Sequence, residues 1–257
     1  MKPKICVLRA DGINCDEELS YAFQKYGGDP EFVHINQLRE KSKKLKNFQI
    51  MAIPGGFAYG DDIVSGKILA TELVSFLKDQ IQEFIEKKGM VIGICNGFQA
   101  LIRTGLLPFN RLGEMDATLK KNDSGHFECR FVKVKIEESC AIFLKPYVGN
   151  IVDIAVNHGE GKLFALPKNI EKIEKEKLVF CRYVDEKNEP TQKYPQNPNG
   201  SINAIAGICD PTGRIIGMMP HPEKIIEITQ HPNWRRGNVQ AQGGFLFEGM
   251  VKFAQQS

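Results

Sequence analysis

The first part of the chain alternates short apolar runs with segments whose apolar residues recur at helical spacing. Four apolar runs predict strands: residues 4–10, 31–35, 48–53 and 90–94. Asp16–Tyr26 has acidic residues in its first turn and Ile68–Lys88 is amphipathic, so both segments predict helices. This alternation predicts an α/β fold, an open and mostly parallel sheet flanked by helices, with functional loops at the carboxyl ends of the strands.

The texture changes after Pro108, where β-type runs predominate. These runs lie at residues 126–136, 150–156, 178–184, 202–209 and 214–219. Residues 185–201, rich in Asn, Pro, Lys and Gln, predict a long loop, and the mixed charges of residues 171–177 predict a solvated loop. Residues 244–254 predict a closing helix. With no internal repeat, the expectation is one domain over residues 1–257 with a β-rich second half.

Composition narrows the class of protein. The chain has 257 residues, 42% hydrophobic and 25% charged, and a net charge of +3, which gives no electrostatic case for binding nucleic acid or a membrane surface. Its seven cysteines show no C-x-x-C spacing, so neither a disulfide framework nor a metal site is expected. Without a signal-peptide core or a membrane-length apolar stretch, a cytoplasmic protein is expected.

One of those cysteines follows the fourth predicted strand directly, in the pattern Gly93-x-Cys95-x-Gly97. A tight strand-to-helix turn of this kind exposes a nucleophile, and small neighbours relieve crowding around it. The amides that begin the next helix would lower the pKa of the thiol and bind an oxyanion, with the Asn96 N–H as the natural donor. Taken alone, the motif fits an inert core cysteine equally well.

A second signal lies at His221-Pro-Glu223. Residues i and i+2 of an extended segment point to the same side, so Glu223 can orient the imidazole of His221. Cysteine, histidine and carboxylate together indicate covalent catalysis by an activated thiolate.

Motifs spread along nearly the whole chain add to this pattern. They are Asn14-Cys-Asp16, Pro54-Gly-Gly-Phe-Ala-Tyr-Gly-Asp-Asp62, Gly93-Ile-Cys-Asn-Gly-Phe-Gln99, Asn157-His-Gly-Glu-Gly161, Asn197-Pro-Asn-Gly-Ser201 and Gly217-Met-Met-Pro-His-Pro-Glu223. In this order they resemble the class I (triad-type) glutamine amidotransferases, and among these the glutaminase subunits of phosphoribosylformylglycinamidine synthase. The resemblance implies a flavodoxin-like sheet and a purine-biosynthetic role.

The resemblance also implies a reaction, the hydrolysis of L-glutamine through a γ-glutamyl thioester. Carried onto this sequence, Cys95 is the nucleophile, His221 the general base and acid, and Glu223 the residue that orients the imidazole. The oxyanion donors would be the Asn96 amide and the loop Gly55-Gly56-Phe57, while Gln99 would recognise the substrate at the mouth of the pocket.

The same resemblance implies partners. The chain has no phosphate loop of the Gly-x-x-x-x-Gly-Lys-Ser/Thr type, and no cofactor is expected on it. ATP and magnesium are expected on a large synthetase subunit, which would convert formylglycinamide ribonucleotide to the amidine with the released ammonia. A small third subunit is expected beside the synthetase. Neither a nucleic acid nor a membrane is expected as a partner.

Three alternatives stay open from the sequence. The chain could be the glutaminase subunit of another amidotransferase, serving pyridoxal phosphate, GMP or anthranilate synthesis. It could be a cysteine peptidase or γ-glutamyl hydrolase, although the Cys-Gly-Ser-Cys-Trp signature of papain-like enzymes is absent. It could also be a non-catalytic scaffold subunit of the same fold, against which the complete triad argues.

Overall fold

The structure is a computed structural model that describes residues 1–237 and 239–256. Its strands are β1 (Lys4–Arg9), β2 (Asp29–His34), β3 (Ile50–Ile53), β4 (Met90–Ile94), β5 (Ala117–Lys120), β6 (Glu128–Ile136), β7 (Ile151–His158), β8 (Lys162–Ala165), β9 (Val179–Tyr183), β10 (Ile205–Cys209) and β11 (Ile215–Met218). Its α-helices are α1 (Asp16–Lys25), α2 (Ile35–Arg39), α3 (Lys67–Phe76), α4 (Lys78–Glu86), α5 (Asn96–Thr104), α6 (Pro167–Lys175) and α7 (Gly244–Gln256).

Nine strands form one sheet in the order β2-β1-β3-β4-β11-β10-β9-β6-β7. The first five of these pair in parallel, which brings the carboxyl ends of β1, β3, β4 and β11 to one edge. The other four extend the sheet in antiparallel fashion. The predicted α/β sheet with a β-rich second half is therefore confirmed.

The parallel strands lie in the centre of the core. Every residue of β3 and β4 is buried, because helices cover both faces of a parallel sheet. Their sequences are accordingly continuous apolar runs rather than alternating ones. Because such strands carry apolar side chains, the polar side chains of a functional site lie in the loops at the strand ends.

Two predicted elements differ from the structure. The predicted helix Ile68–Lys88 is two helices, α3 and α4, because the backbone of the buried Leu77 leaves helical geometry (φ −115°, ψ 6°). The predicted solvated loop at residues 171–177 is wrong for most of its length, since α6 runs to Lys175. Ile170 and Ile173 of that helix are buried, so packing of one apolar edge fixes a helix within the charged run.

The structure also contains a pairing that the sequence did not predict. β5 and β8 form a separate two-stranded antiparallel sheet. The predicted loop at residues 185–201 contains neither helix nor named strand, although Val184 and Pro190 form an isolated bridge. No helix in the described part of the chain combines the length and apolar character needed to cross a membrane.

Candidate active site

Cys95 lies on a strained turn between β4 and α5. Its backbone angles, φ 51° and ψ −106°, are unfavourable for a residue with a side chain. A Cβ atom at Gly93 would lie 2.5 Å from the Gly97 carbonyl oxygen, and one at Gly97 would lie 2.0 Å from the Ile53 oxygen. Gly93 therefore lets β4 and α5 approach each other, and Gly97 lets α5 approach β3, in keeping with the small residues of the sequence pattern.

The Cys95 thiol is buried, with 5% of the residue exposed, and its Sγ donates to the Asn157 carbonyl oxygen at 3.4 Å. Burial is the largest cause that raises the pKa of this thiol, and neighbouring Cys15 and Glu223 raise it further. Lys224 and the Asn96 amide act in the opposite direction and are outweighed. The sequence-based expectation of a lowered pKa is thus wrong for this state, because removal from water outweighs the amides at the helix start.

His221 and Glu223 form a buried acid–base pair just after β11. The distance from His221 Nδ1 to Glu223 Oε1 is 2.5 Å, and each residue is 1% exposed. The His221 amide donates to the Ala155 carbonyl of β7 at 2.8 Å, which fixes the backbone of the pair. His221 Nε2 has no hydrogen-bond partner in residues 1–237 and 239–256, so the nitrogen that faces away from Glu223 is available.

Gly55 lies where Cys95 and the His221 imidazole meet. A Cβ atom there would be 2.8 Å from His221 Cε1 and 3.5 Å from Cys95 Cβ. The structure therefore brings together Cys95, His221 and Glu223, as the sequence predicts, around a position where a side chain would not fit. The thiol hydrogen bond goes to Asn157, and the thiol must leave that carbonyl to reach His221.

The loop after β3 contributes backbone rather than side chains. Gly56 has φ 145°, and a Cβ atom there would lie 2.7 Å from the Asn14 nitrogen, so only glycine fits. The Gly56 amide has no hydrogen bond to any other described residue. The Phe57 amide donates to the Gly12 oxygen at 2.9 Å. Of the three predicted loop residues, Gly55 and Gly56 therefore have N–H groups without a hydrogen bond to another described residue, and Phe57 does not.

The Asn96 side chain links the loop after β3 to α5 by hydrogen bonds. Its Oδ1 accepts from the Ala58 amide at 3.0 Å, and its Nδ2 donates to Asp61 Oδ1 at 2.8 Å. Desolvation is the largest influence on Asp61 and raises the pKa of that carboxyl. The buried side-chain amide of Asn96, the residue after Cys95, thereby holds the loop against the start of α5, a function that the sequence did not indicate.

Gln99 does not lie at a pocket mouth. It is 3% exposed, its Oε1 accepts from Asn96 Nδ2 at 2.9 Å, and its Nε2 donates to the Glu160 carbonyl at 2.6 Å. The prediction that its amide is presented at the mouth is corrected here, because both ends of that amide are bound to protein. Gln99 instead connects α5 to the segment after β7.

Cys15 is a neighbour of the site that the sequence did not single out as functional. It follows β1, is 5% exposed, and its Sγ would lie 3.4 Å from a Cβ atom at Gly55. Burial, followed by Glu223, raises the pKa of its thiol to about 12. The convergence of parallel strand ends could have indicated this residue, since β1 and β3 are adjacent.

Ligand atoms of Cys15, His221 and Glu223 lie within 4.8 Å of one another, a grouping that could hold a metal ion. The Nδ1 atom of His221 is already engaged by the Glu223 carboxylate, however. A histidine oriented by a carboxylate in this way is arranged for proton transfer.

Comparison with known proteins agrees with this geometry. The sequence profile of the CobB/CobQ-like glutamine amidotransferase domain matches residues 2–254. The chain is 42% identical to the phosphoribosylformylglycinamidine synthase subunit PurQ of Dehalococcoides mccartyi, covering 99% of both chains. It is 41% identical to PurQ of Methanococcus maripaludis, covering 91% of this chain and 88% of that one.

Among solved structures, a chain in the structure of PurLQS from Thermotoga maritima superposes with a TM-score of 0.76 and 28% identity. The superposition covers 98% of this chain and 99% of that chain. Sequence and structure therefore agree over nearly the whole length, and the chain belongs to the CobB/CobQ-like glutamine amidotransferase family, within its PurQ group.

Proposed function

We propose that this chain is the glutaminase subunit of phosphoribosylformylglycinamidine synthase, with Cys95, His221 and Glu223 as its catalytic triad. The observation that carries the proposal is the convergence of buried Cys95 and His221 on Gly55, with Glu223 bound to His221 Nδ1 and an available amide in the adjacent loop. The PurQ relatives, matched over almost their full length, support the choice of nitrogen acceptor.

The first chemical step requires coupled proton transfer. Because burial raises the pKa of the Cys95 thiol, the resting nucleophile is neutral and its proton must move as the sulfur attacks. When the thiol turns from the Asn157 carbonyl, His221 Nε2 is the available acceptor. Glu223 holds the ring by its Nδ1–H and stabilises the imidazolium that forms.

The tetrahedral intermediate then needs hydrogen-bond donors for its oxyanion. The Asn96 amide, which acts to lower the pKa of the Cys95 thiol, lies at the start of α5, where the helix dipole favours negative charge. The Gly56 amide is the second donor. Collapse of the intermediate releases ammonia, which takes its proton from His221, and water activated by the same imidazole hydrolyses the thioester.

An exposed aromatic pair at the loop after β3 supports a docking surface for the synthetase that uses the released ammonia. The rings of Phe57 and Phe127 stack with centroids 6.3 Å apart, and the two residues are 45% and 51% exposed. Exposed aromatic side chains next to a reactive centre are typical of protein interfaces. The partner proposed for this face is a PurL-type synthetase, with a small PurS-type subunit in the assembly.

In this assembly the synthetase binds ATP and magnesium, and this chain binds glutamine as its substrate. A glutaminase that works with the synthetase of purine biosynthesis would work in the cytoplasm. Keeping the two reactions in one complex protects ammonia from protonation in bulk water, which would remove its nucleophilic lone pair.

The test is Cys95→Ala in a complex reconstituted with the synthetase and the small subunit. We expect glutamine hydrolysis and glutamine-dependent synthesis to fall by at least about 10⁴-fold, because the nucleophile is removed. Synthesis driven by added ammonia should persist. Cys129→Ser, at an exposed cysteine, is the matched control and should retain both activities.

Loss of the ammonia-driven reaction in Cys95→Ala would contradict the division of labour between the subunits. Full glutamine-dependent activity in that variant would contradict the role of Cys95. Hydrolysis of γ-glutamyl peptides by the wild-type chain without any partner would identify a hydrolase instead.

A further inference from the structure

A second buried histidine lies close to the triad without belonging to it. His158 ends β7 and is 2% exposed. Its Nδ1 lies 3.1 Å from Asn122 Oδ1, whereas its Nε2 has no hydrogen-bond partner in the described part of the chain. A buried polar atom without a partner is destabilising, so its retention calls for a function.

The position of His158 relates it to the reaction. The residue before it, Asn157, supplies the carbonyl that accepts from Cys95 Sγ. Ala155 of the same strand pairs with the backbone of His221, and the charge of His221 acts on His158. His158 therefore follows directly on β7 the residue whose carbonyl the Cys95 thiol contacts.

The contacts of Asn122 define which nitrogen of His158 carries the proton. Asn122 Nδ2 donates to the carbonyls of His126 (2.9 Å) and His158 (2.8 Å), so Asn122 Oδ1 is an acceptor. That oxygen also accepts from the Gly161 amide at 3.0 Å. Nδ1 of His158 must consequently donate to it, which leaves Nε2 with a free lone pair.

The ring stays neutral under physiological conditions. Burial, the largest cause, and the nearby His221 lower the pKa of His158 to about 3. A neutral imidazole with its proton on Nδ1 can accept a hydrogen bond at Nε2 but has no acidic proton there to give. Such a group can hold ammonia without converting it to ammonium.

Polar groups continue from His158 across the neighbouring strand. Glu128 of β6 faces His158 in register, and Arg130 follows two residues later on the same face. Glu128 Oε1 and Arg130 Nε are also buried and without a hydrogen-bond partner within the described residues. Unpartnered buried atoms of these three side chains thus lie on one face of the β6–β7 pair, where Arg130 and Glu128 also form an ion pair at 3.1 Å.

A surface cleft lies beyond this cluster. His126, whose carbonyl accepts a hydrogen bond from Asn122, also lines a cleft of about 390 Å³. The cleft is lined by residues that include His126, Asp123, Gln192, Tyr194, Asn197 and Gly200. Arg130 also extends toward it, with its guanidinium 4.8 Å from the centre of the Tyr194 ring.

We infer that His158 is an ammonia-transfer residue, which accepts an N–H of ammonia released at Cys95 through its Nε2 lone pair and directs it toward the cleft lined by His126 and Tyr194. This inference rests on the proposed function. It assigns His158 no bond-making step. Its effect is on where the ammonia goes rather than on how fast glutamine is hydrolysed.

The test uses His158→Leu and His158→Gln in the reconstituted complex, with His34→Gln as the matched control. His34 accepts from the Asn36 amide at the start of α2 and lies outside the cluster. Glutamate formed per amidine product is measured, and so is retention of ¹⁵N from amide-labelled glutamine in excess unlabelled ammonium. Hydrolysis and ammonia-driven synthesis are measured in parallel.

In His158→Leu we expect a severalfold rise in glutamate per product and a matching loss of ¹⁵N retention, with glutamine kcat/KM and ammonia-driven synthesis close to wild type. His158→Gln, which keeps a side-chain acceptor, should recover part of the coupling even if the leucine variant folds poorly. His34→Gln should behave as wild type.

Wild-type coupling and label retention in both His158 variants would overturn the inference, whatever their thermal stability. A raised KM for glutamine with normal coupling would assign His158 to substrate binding instead. Failure of the wild-type complex to use glutamine at all would refute the proposed function and is distinguishable from either result.

Discussion

The parallel and antiparallel halves of the sheet meet at the candidate site but contribute to it in different ways. In the parallel half, the site is made by backbone at strand ends, where Gly55, Gly56 and Gly97 allow distances that a side chain would prevent. In the antiparallel half, β7 contributes the Asn157 and Ala155 carbonyls, and the buried side-chain amide of Asn122 binds the segment that follows β7. Site geometry that depends on tight turns can be predicted from the local sequence. Hydrogen-bond networks between segments far apart in the chain cannot.

The largest expected effect concerns the acid–base pair that follows the parallel strand β11. Glu223→Gln keeps the shape of the side chain but removes the charge that stabilises the imidazolium. We expect kcat for glutamine hydrolysis to fall about 10²- to 10⁴-fold. The control is Glu227→Gln, at a surface glutamate that binds Lys25, and it should be active.

Steady-state kinetics of both variants in the complex check this prediction. A loss smaller than about tenfold in Glu223→Gln would show that orientation of His221 depends on its backbone pairing alone.

The next prediction tests the parallel half of the sheet, where backbone at the strand ends forms the site. Gly97→Ala places a Cβ atom 2.0 Å from the Ile53 oxygen, so β3 and α5 must separate. We expect a loss of about 2–3 kcal/mol in the free energy of unfolding and a misplaced Cys95. Gly237→Ala, where a Cβ atom would meet nothing within 4 Å, is the matched control.

Urea denaturation and glutamine hydrolysis measure the two consequences of Gly97→Ala. Equal stability of the two glycine variants would refute the steric argument for the turn.

A prediction with a smaller effect tests the antiparallel half of the sheet, where Asn122 forms buried side-chain hydrogen bonds. Asn122→Ala removes four hydrogen bonds, two donated to carbonyls and two accepted by Oδ1. Because three of these four hydrogen bonds are buried, we expect a loss of about 2 kcal/mol in the free energy of unfolding. Asn36→Ala, at an exposed asparagine, should change it little.

If Asn122→Ala proves as stable as Asn36→Ala, the antiparallel half is held by apolar packing rather than by the amide network. The same denaturation experiment decides between these two results.

The smallest effect concerns the chemical state of the nucleophile. Since burial raises the pKa of Cys95, its thiolate is scarce at neutral pH in the isolated chain. Alkylation by iodoacetamide should be slow at pH 7 and rise about tenfold per pH unit below that pKa. The exposed Cys129 serves as an internal reference in mass spectrometry.

Rapid alkylation of Cys95 that does not change between pH 6 and pH 8 would contradict a neutral resting thiol. It would restore the original expectation that the start of α5 stabilises the thiolate.

Much of the fold could be predicted because its signals are local. The alternation of apolar runs and helical periodicity gave the parallel half, and the boundaries of α1 and α7 came within a few residues of the structure. The predicted helix Ile68–Lys88 could not be divided correctly, because the break at Leu77 depends on tertiary burial. α6 was missed because two buried isoleucines decide it within a charged segment.

The candidate site divides in the same way. Cys95, His221 and Glu223 could be selected from the sequence because each lies beside a strand end with a recognisable pattern. Gln99 was placed wrongly at the pocket mouth, since helical spacing gives a direction but not the partners that occupy its amide. The contribution of Cys15 needed β1 and β3 to be known as neighbours.

The sequence by itself determined the class of fold, the chemical types at the site and the tight turn at Cys95, because glycine spacing and strand ends act over a few residues. Only the tertiary structure decided the charge state of the thiol, the available Gly56 amide and the unpartnered nitrogen of His158. These depend on burial and on hydrogen-bond partners far away in the chain, which hydrophobic patterning does not encode.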